Sequence, residues 1–213
     1  MERKTQFKIS KVFPRRWSPR AMSGESISKE QLFALFEAAR WAPSAFNNQP
    51  WRFIYAMNGT KEWNLFFNLL IDFNKMWAKN ASNLILVISK KSFELNNKPN
   101  PTHSFETGAA WMSLALQGSM DGLVTHTISG FDYEKARTDL KIPDDYNIEA
   151  MVVIGKEGKK EDLSEDLQKM EVQSDRKNIE EFVFEGGFNE NPWMYRMYWK
   201  NNIQINERTN KEG

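Results

Sequence analysis

Two short stretches concentrate the side chains able to do chemistry. The first, Arg15-Arg16-Trp17-Ser18-Pro19-Arg20, puts three arginines and a serine within six residues. Guanidinium forks match phosphate oxygens in pairs, so such a run can close on an anion. The alternative is a basic segment that simply sits in water. The second stretch is residues 40–53, RWAPSAFNNQPWRF. A helix-to-strand connection ordinarily needs about two to six residues. Here residues 41–51 hold two prolines, a serine, two asparagines, a glutamine and three aromatics. The stretch is either a stiff packing element or a device for holding something.

Most other chemistries are excluded. The chain has no cysteine, which removes disulfides, thiolate zinc, iron–sulfur clusters and cysteine nucleophiles. Its two histidines, His103 and His126, are far apart with no carboxylate spacing to make a metal site, so no metal is expected. His126 falls on an expected strand, where a packing or hydrogen-bonding role outweighs a catalytic one. No GxGxxG follows a strand and no GxxxxGK[ST] occurs, so neither a dinucleotide fingerprint nor a P-loop is present. No GxSxG elbow surrounds Ser44 or Ser129. With 29 Lys+Arg against 28 Asp+Glu, a formal charge of +1, the chain lacks the excess of a nucleic-acid binder. The N-terminus has no apolar signal core, and no run approaches the roughly 18 apolar residues of a membrane helix. A cytoplasmic protein is the expectation.

Regular elements must position these stretches. A helix is expected from Ser28, with Gln31 completing a capping box and Leu32, Phe33, Phe36 and Ala39 forming its buried face. Residues 51–57 alternate as a strand and end at Asn58-Gly59. A helix follows over about 61–76, with Trp63, Phe66, Phe67, Leu70 and Phe73 on one stripe. Leu84–Ile88 reads as a strand buried on both faces, and residues 89–103 as a surface loop. The next helix, roughly 104–120, interleaves Gly108, Ala109, Ala110 and Ala115 with larger residues, so another backbone can approach it and it should be central. LVTHTI resumes a strand, 132–141 a short helix, and Ala150–Ile154 a buried strand. Residues 156–178 are mostly charged and read as a surface connection. The order predicts an α+β or α/β sandwich without a dividing linker; the aromatic NPWMYRMYWK tail needs cover.

The motifs RRWSPRAM and AARWAPSAFNNQPWRFIYA, separated by a helix, resemble the nitroreductase family, with its R-x-S-x-R and APS-x-x-N-x-QPW-x-F segments. FNKMWAKNASNLILVIS, ETGAAWMSLALQGSMDGLVTHTISGFD, IPDDYNIEAMVVIGK and SDRKNIEEFVFEGGF extend the resemblance over roughly residues 15–188. It implies a single domain over 1–213 with a C-terminal extension from 189, of α+β class. A central mixed, mostly antiparallel sheet would be flanked by helices in a homodimer. It implies an FMN cofactor whose phosphate meets Arg16, Trp17, Ser18, Arg20, Arg176 and Lys177; Ser174 stands where the family often has another basic residue. Asn74 would bond the polar edge of the ring, and the Ser129-Gly130 backbone would face N5, where hydride is exchanged. Trp77 falls where some members present a lysine to the N1–O2 edge, leaving Arg52 or a helix N-terminus to supply positive charge. Pro43, Ser44, Ala45 and Asn47 would reach the flavin of the other subunit.

The implied activity is ping-pong hydride transfer from NADH or NADPH to an electron-poor small molecule such as a nitroaromatic or quinone. No side chain is assigned to the chemistry itself. The alternatives are a specialised reaction (reductive dehalogenation or flavin fragmentation) under a lid at 89–103, or a flavin-storing dimer without turnover. Trp193, Tyr195, Tyr198 and Trp199 would wrap onto the partner or pack on their own subunit.

Overall fold

The computed structural model describes residues 3–188, so the aromatic tail and the extension from 189 lie outside the described residues. Contacts divide the described residues into two compact units, residues 10–173 and a smaller one of residues 3–9 with 174–188. In the smaller unit Gln6 joins the two chain segments: its amide donates to the Glu180 carboxylate and its oxygen accepts the Ile179 N–H at 2.7 Å.

The larger unit is built on four strands, β1 (Trp51–Met57), β2 (Asn83–Lys90), β3 (Leu123–Ile128) and β4 (Tyr146–Lys156), in the order β1-β2-β4-β3. Every pairing of these strands is antiparallel, so the parallel part of a mixed sheet is absent among the described residues. The centre is apolar on both faces, as the LILVI run requires. Leu84, Leu86 and Ile88 of β2 with Met151 and Val153 of β4 face one core, and Ile85 and Val87 with Val152 and Ile154 face the other.

Helix α1 (Val12–Arg15) precedes α2 (Lys29–Arg40), which opens on the expected capping box: Ser28 Oγ accepts the Gln31 N–H and Gln31 Oε1 accepts the Ser28 N–H. Its buried face is Leu32, Leu35 and Ala39, whereas Phe33 is 46% exposed. The true stripe is i, i+3, i+7, and the Phe33 ring instead lies edge-on to Phe36 and Tyr55. Helix α5 (His103–Met120) packs beside α2 on this face with Ala110, Leu114 and Ala115 fully buried. At Gly118 a Cβ would stand 2.8 Å from Thr125 Cγ2 of β3 and 3.8 Å from Leu35 Cδ2 of α2. Gly108 faces open space.

On the opposite face the expected helix over 61–76 is two helices, α3 (Lys61–Phe67) and α4 (Asp72–Ala78). The break exists because Leu69, Leu70 and Ile71 hand their backbone to the chain after β3: Asp132 N–H donates to Leu69 O, and Ile71 N–H to Gly130 O. Phe73, placed on the buried stripe by periodicity, is consequently 41% exposed. Helix α6 (Tyr133–Asp139) and helix α7 (Glu165–Met170) complete this layer. Helix α7 lies within the stretch read as a surface connection, yet Leu163 and Leu167 are buried. Two apolar residues in a charged run were enough to dock it. Among the described residues no helix is long and apolar enough to cross a membrane.

Candidate functional site

The arginine run leaves α1 and turns extended at Arg16, whose Nη1 donates to Trp17 O and Ser18 Oγ, both at 3.2 Å. Two groups pin the next residues. His126 Nδ1–H donates to Pro19 O at 3.0 Å. The Glu171 carboxylate accepts the N–H of Arg20 at 2.8 Å and of Ala21 at 2.9 Å, and lies 4.0 Å from Arg20 Nη1. Glu171 is 7% exposed, so this is a buried carboxylate held by two consecutive amides and one cation. Arg20 Nε is buried and meets no protein acceptor. A cleft of about 230 Å3 borders this arm, with Arg15, Arg16 and Trp17 on one side and Thr125, Glu157 and Gln173 on the other.

His126 is the junction between this arm and α4. Its ring lies 4.7 Å from that of Trp77, tilted by 34°. Burial pushes its pKa below the ordinary value; the Pro19 carbonyl and Glu171 oppose this, while Arg20 and Arg16 reinforce it. The histidine packs and bonds, as its strand position predicted. Trp77, expected where some members of the family present a lysine to the ring, is a core residue only 1% exposed. Arg52 is committed elsewhere: Nη1 donates to Gln49 O and Trp51 O, and Nη2 pairs with Glu94.

Two expected ring-side residues, Asn74 and Gly130, meet, with a third beside them in the chain. Asn74 is 6% exposed, and its Nδ2–H donates to Gly130 O at 2.9 Å. A Cβ on Gly130 would lie 2.6 Å from that same nitrogen and 2.8 Å from Ile71 Cδ1, so only glycine allows the contact. Ser129, next in the chain, is exposed. The sheet thus ends β3 in a short backbone segment clamped to α4, with one residue presented outward.

The 41–51 connection is strained and tightly tied. Phe46, Asn47 and Gln49 have φ of 52°, 52° and 48°, a left-handed conformation that costs a non-glycine residue about 1–2 kcal/mol. Ser44 Oγ accepts the Gln49 N–H, Gln49 Nε2–H donates to Asn47, Asn48 Oδ1 accepts the Glu94 N–H, and Arg52 holds Gln49 O. The decisive tie is Glu106 of α5, 4% exposed, which accepts the Ala45 N–H at 3.0 Å, Asn100 Nδ2–H at 3.2 Å and Thr102 Oγ–H at 2.6 Å. Pro43 and Asn47 are left exposed, Ser44 and Ala45 half-buried, and Phe46 is 91% exposed.

Arg176 and Lys177 belong to the smaller unit, where Arg176 Nη1–H donates to Ser174 Oγ at 3.1 Å and to two nearby carbonyls. The structure therefore brings Arg16, Ser18 and Arg20 together, and separately Asn74 with Gly130. Sequence reasoning missed Glu106 and Glu171. The first carried a faint signal, an acid in the opening turn of a helix; the second carried none inside its charged run.

The family model described as the nitroreductase family matches residues 14–81. A crystal structure described as an oxidoreductase containing FMN is 43% identical, covering 88% of this chain and 96% of its own, with a TM-score of 0.84. A nitroreductase family protein from Clostridium difficile 630 is 22% identical, covering 83% of this chain and 97% of its own, with a TM-score of 0.64. An FMN-dependent nitroreductase from Clostridium difficile R20291 is also 22% identical, covering 83% and 95%, at 0.56. The last two share the fold alone. No curated protein matches the chain. An antiparallel sheet between helical layers, a pinned arginine arm and a strained connection define a nitroreductase-type α+β protein. The chain belongs to the nitroreductase family.

Proposed function

We propose that the protein is an FMN-dependent oxidoreductase that takes hydride from NADH or NADPH and passes it to an electron-poor small molecule such as a nitroaromatic or quinone. The observation that carries this reading is the 43% identity over 88% of the chain to an FMN-containing oxidoreductase. The residues fit such a cofactor. Arg16, Trp17, Ser18 and Arg20 supply the cations and hydroxyl that a phosphate needs, and the buried, unpartnered Arg20 Nε is a donor awaiting an acceptor. Arg176 and Lys177 match the family's late basic pair and carry further positive charge. Asn74, Ser129 and Gly130 offer amide and backbone donors to the polar ring atoms.

When bound, FMN supplies two-electron hydride chemistry at N5. The chain's own residues bind and orient. Glu171 and His126 fix the backbone of the phosphate arm, so its donors cost little reorganisation on binding. Asn74 and Gly130 hold one another, which sets the position of the 129–130 backbone. Pro43, Ser44, Ala45 and Asn47 would complete the site of a second copy, two sites per homodimer. The Ser44 hydroxyl hydrogen remains free to donate, since its oxygen alone is engaged by Gln49.

The test is direct. The purified protein is expected to carry a yellow, FMN-type spectrum that bleaches anaerobically with NADH or NADPH and recovers with a quinone or nitroaromatic. A protein that binds FMN but is not reduced by either nucleotide overturns the oxidoreductase reading.

A further inference from the structure

A second cluster sits at the same end of the sheet as Ser129 and Gly130, and the binding site uses none of it. Ser89 closes β2, His103 and Ser104 open α5, and Glu149 lies on β4 where the ladder slips: Ala150 pairs with Val87 and Ile148 with Ile88, leaving Glu149 without a partner residue. Such bulges re-aim a side chain. The Glu149 carboxylate accepts both hydroxyl protons, from Ser89 and, at 2.7 Å, from Ser104. His103 Nδ1 lies 2.7 Å from Ser89 Oγ. Since the Ser89 proton is already committed to Glu149, the network assigns the hydrogen of this contact to Nδ1.

The order is therefore carboxylate–serine–histidine. A hydrolase triad needs the histidine in the middle, drawing the proton off the serine. Here the serine is central and fully buried, so it is no nucleophile. What the chain of bonds does instead is orient an imidazole. Nδ1–H is fixed inward and Nε2 points away from the carboxylate, on a side chain that remains 18% exposed. One link connects the cluster with the expected ring site and a second with the strained connection. Phe131, one residue past Gly130, stacks on Tyr133 at 4.1 Å, and burial, with the Glu149 charge second, raises the Tyr133 pKa. One helical turn beyond His103, Glu106 holds Ala45 of the strained connection, the segment expected to enter the site of a second copy.

We propose that His103 is a catalytic residue of the oxidative half-reaction, donating a proton from Nε2 to the electron acceptor, with Ser89, Ser104 and Glu149 as its positioning residues. The role rests on the oxidoreductase reading. A quinone receives two electrons and one hydrogen as hydride from the reduced flavin. The Nε2–H bond breaks and an O–H bond forms on the remaining quinone oxygen. Hydroquinone leaves, the imidazolium that gave up its Nε2 proton is left as the neutral Nδ1–H imidazole, and a solvent proton restores Nε2–H.

The two half-reactions separate the role from a structural one. In anaerobic stopped-flow measurements on FMN-loaded protein, His103→Ala and His103→Gln are expected to slow quinone-driven reoxidation by about 100-fold or more. Reduction by the nicotinamide nucleotide should stay within about twofold of wild type on the same scale. Added imidazole should restore reoxidation in His103→Ala. Nitrogen-15 NMR of flavin-free protein should show neutral His103 as the Nδ1–H tautomer, lost in Ser89→Ala. Unchanged reoxidation, equal slowing of both half-reactions without imidazole rescue, or an Nε2–H tautomer in wild type each overturns the proposal. Wild-type protein that nicotinamide nucleotides fail to reduce sinks the oxidoreductase reading, and His103's role with it, even with the tautomer as expected.

Discussion

His126 is held where a positive charge is costly. Its ring is buried against Trp77, and Arg20 and Arg16 act on it alongside Glu171. Burial lowers its folded pKa from 6.5, so near that pH the unfolded chain binds a proton that the folded chain does not. Stability therefore rises with pH through this window and falls as pH drops below about 6.5, continuing down towards the lowered folded value. His126→Gln keeps a donor for Pro19 O without a titrating group. Its urea-unfolding midpoint is expected to lose most of the wild-type decline between neutral pH and about pH 5. An unchanged slope would show that other groups control acid stability. The same residue joins the arm to the core: its ring lies 4.7 Å from that of Trp77, which is 1% exposed.

At the scale of elements, the 41–51 connection is a short helix exit held in three left-handed residues by a buried acid. Glu106→Ala removes the acceptor for Ala45 N–H and Asn100 Nδ2–H at once, while the Thr102 hydroxyl falls back on Asn100 Oδ1 at 2.9 Å. Stranding buried donors costs about 1–3 kcal/mol, so the variant should unfold at lower urea and release strain by letting Phe46 and Asn47 leave the left-handed region. The expected signature is a lower FMN affinity alongside faster amide exchange in 43–49, while α2 and the sheet keep their protection. Full protection of 43–49 in the variant would count against Glu106 as the anchor. Most of this architecture was legible in the sequence. Ser28 and Gln31 marked the start of α2, LILVI marked a two-faced strand, and Asn58-Gly59 ended β1. What was not legible depends on distant partners. The split between α3 and α4 is imposed by Gly130 and Asp132, some sixty residues downstream, and no local period carries that. Periodicity likewise misassigned Phe33, since an amphipathic stripe fixes a face only to within one neighbouring position. In the candidate site, Arg16, Ser18, Arg20, Asn74 and Gly130 are visible as motif positions; Glu171 and Glu149 are single acids whose meaning comes only from where the fold brings them.

At the scale of the molecule, the larger unit leaves rings in water that a lone subunit has no reason to expose. Phe46 is 91% exposed at the tip of the strained connection and Trp41 75% exposed at its start. Trp41 is held rather than left loose: its Nε1–H donates to Glu37 and the Arg40 guanidinium lies 4.9 Å over its ring. The same pairing drives the Glu37 pKa down to about 2, first through Arg40 and then through Trp41. Strain, a buried anchor and presented aromatics belong together if the connection is built to enter a second copy and reach its flavin. Phe46→Glu and Trp41→Glu test this, because side chains so exposed contribute little to the fold of their own subunit. Each is expected to leave the thermal midpoint of the isolated chain nearly unchanged, to shift the sedimentation coefficient from dimer to monomer, and to lose FMN in step with the dimer. Diluting the wild-type protein below its dimer dissociation constant should release flavin along the same curve. A monomeric Phe46→Glu protein that keeps one FMN per chain would mean that Pro43, Ser44, Ala45 and Asn47 serve their own subunit, and the cross-subunit site would fall.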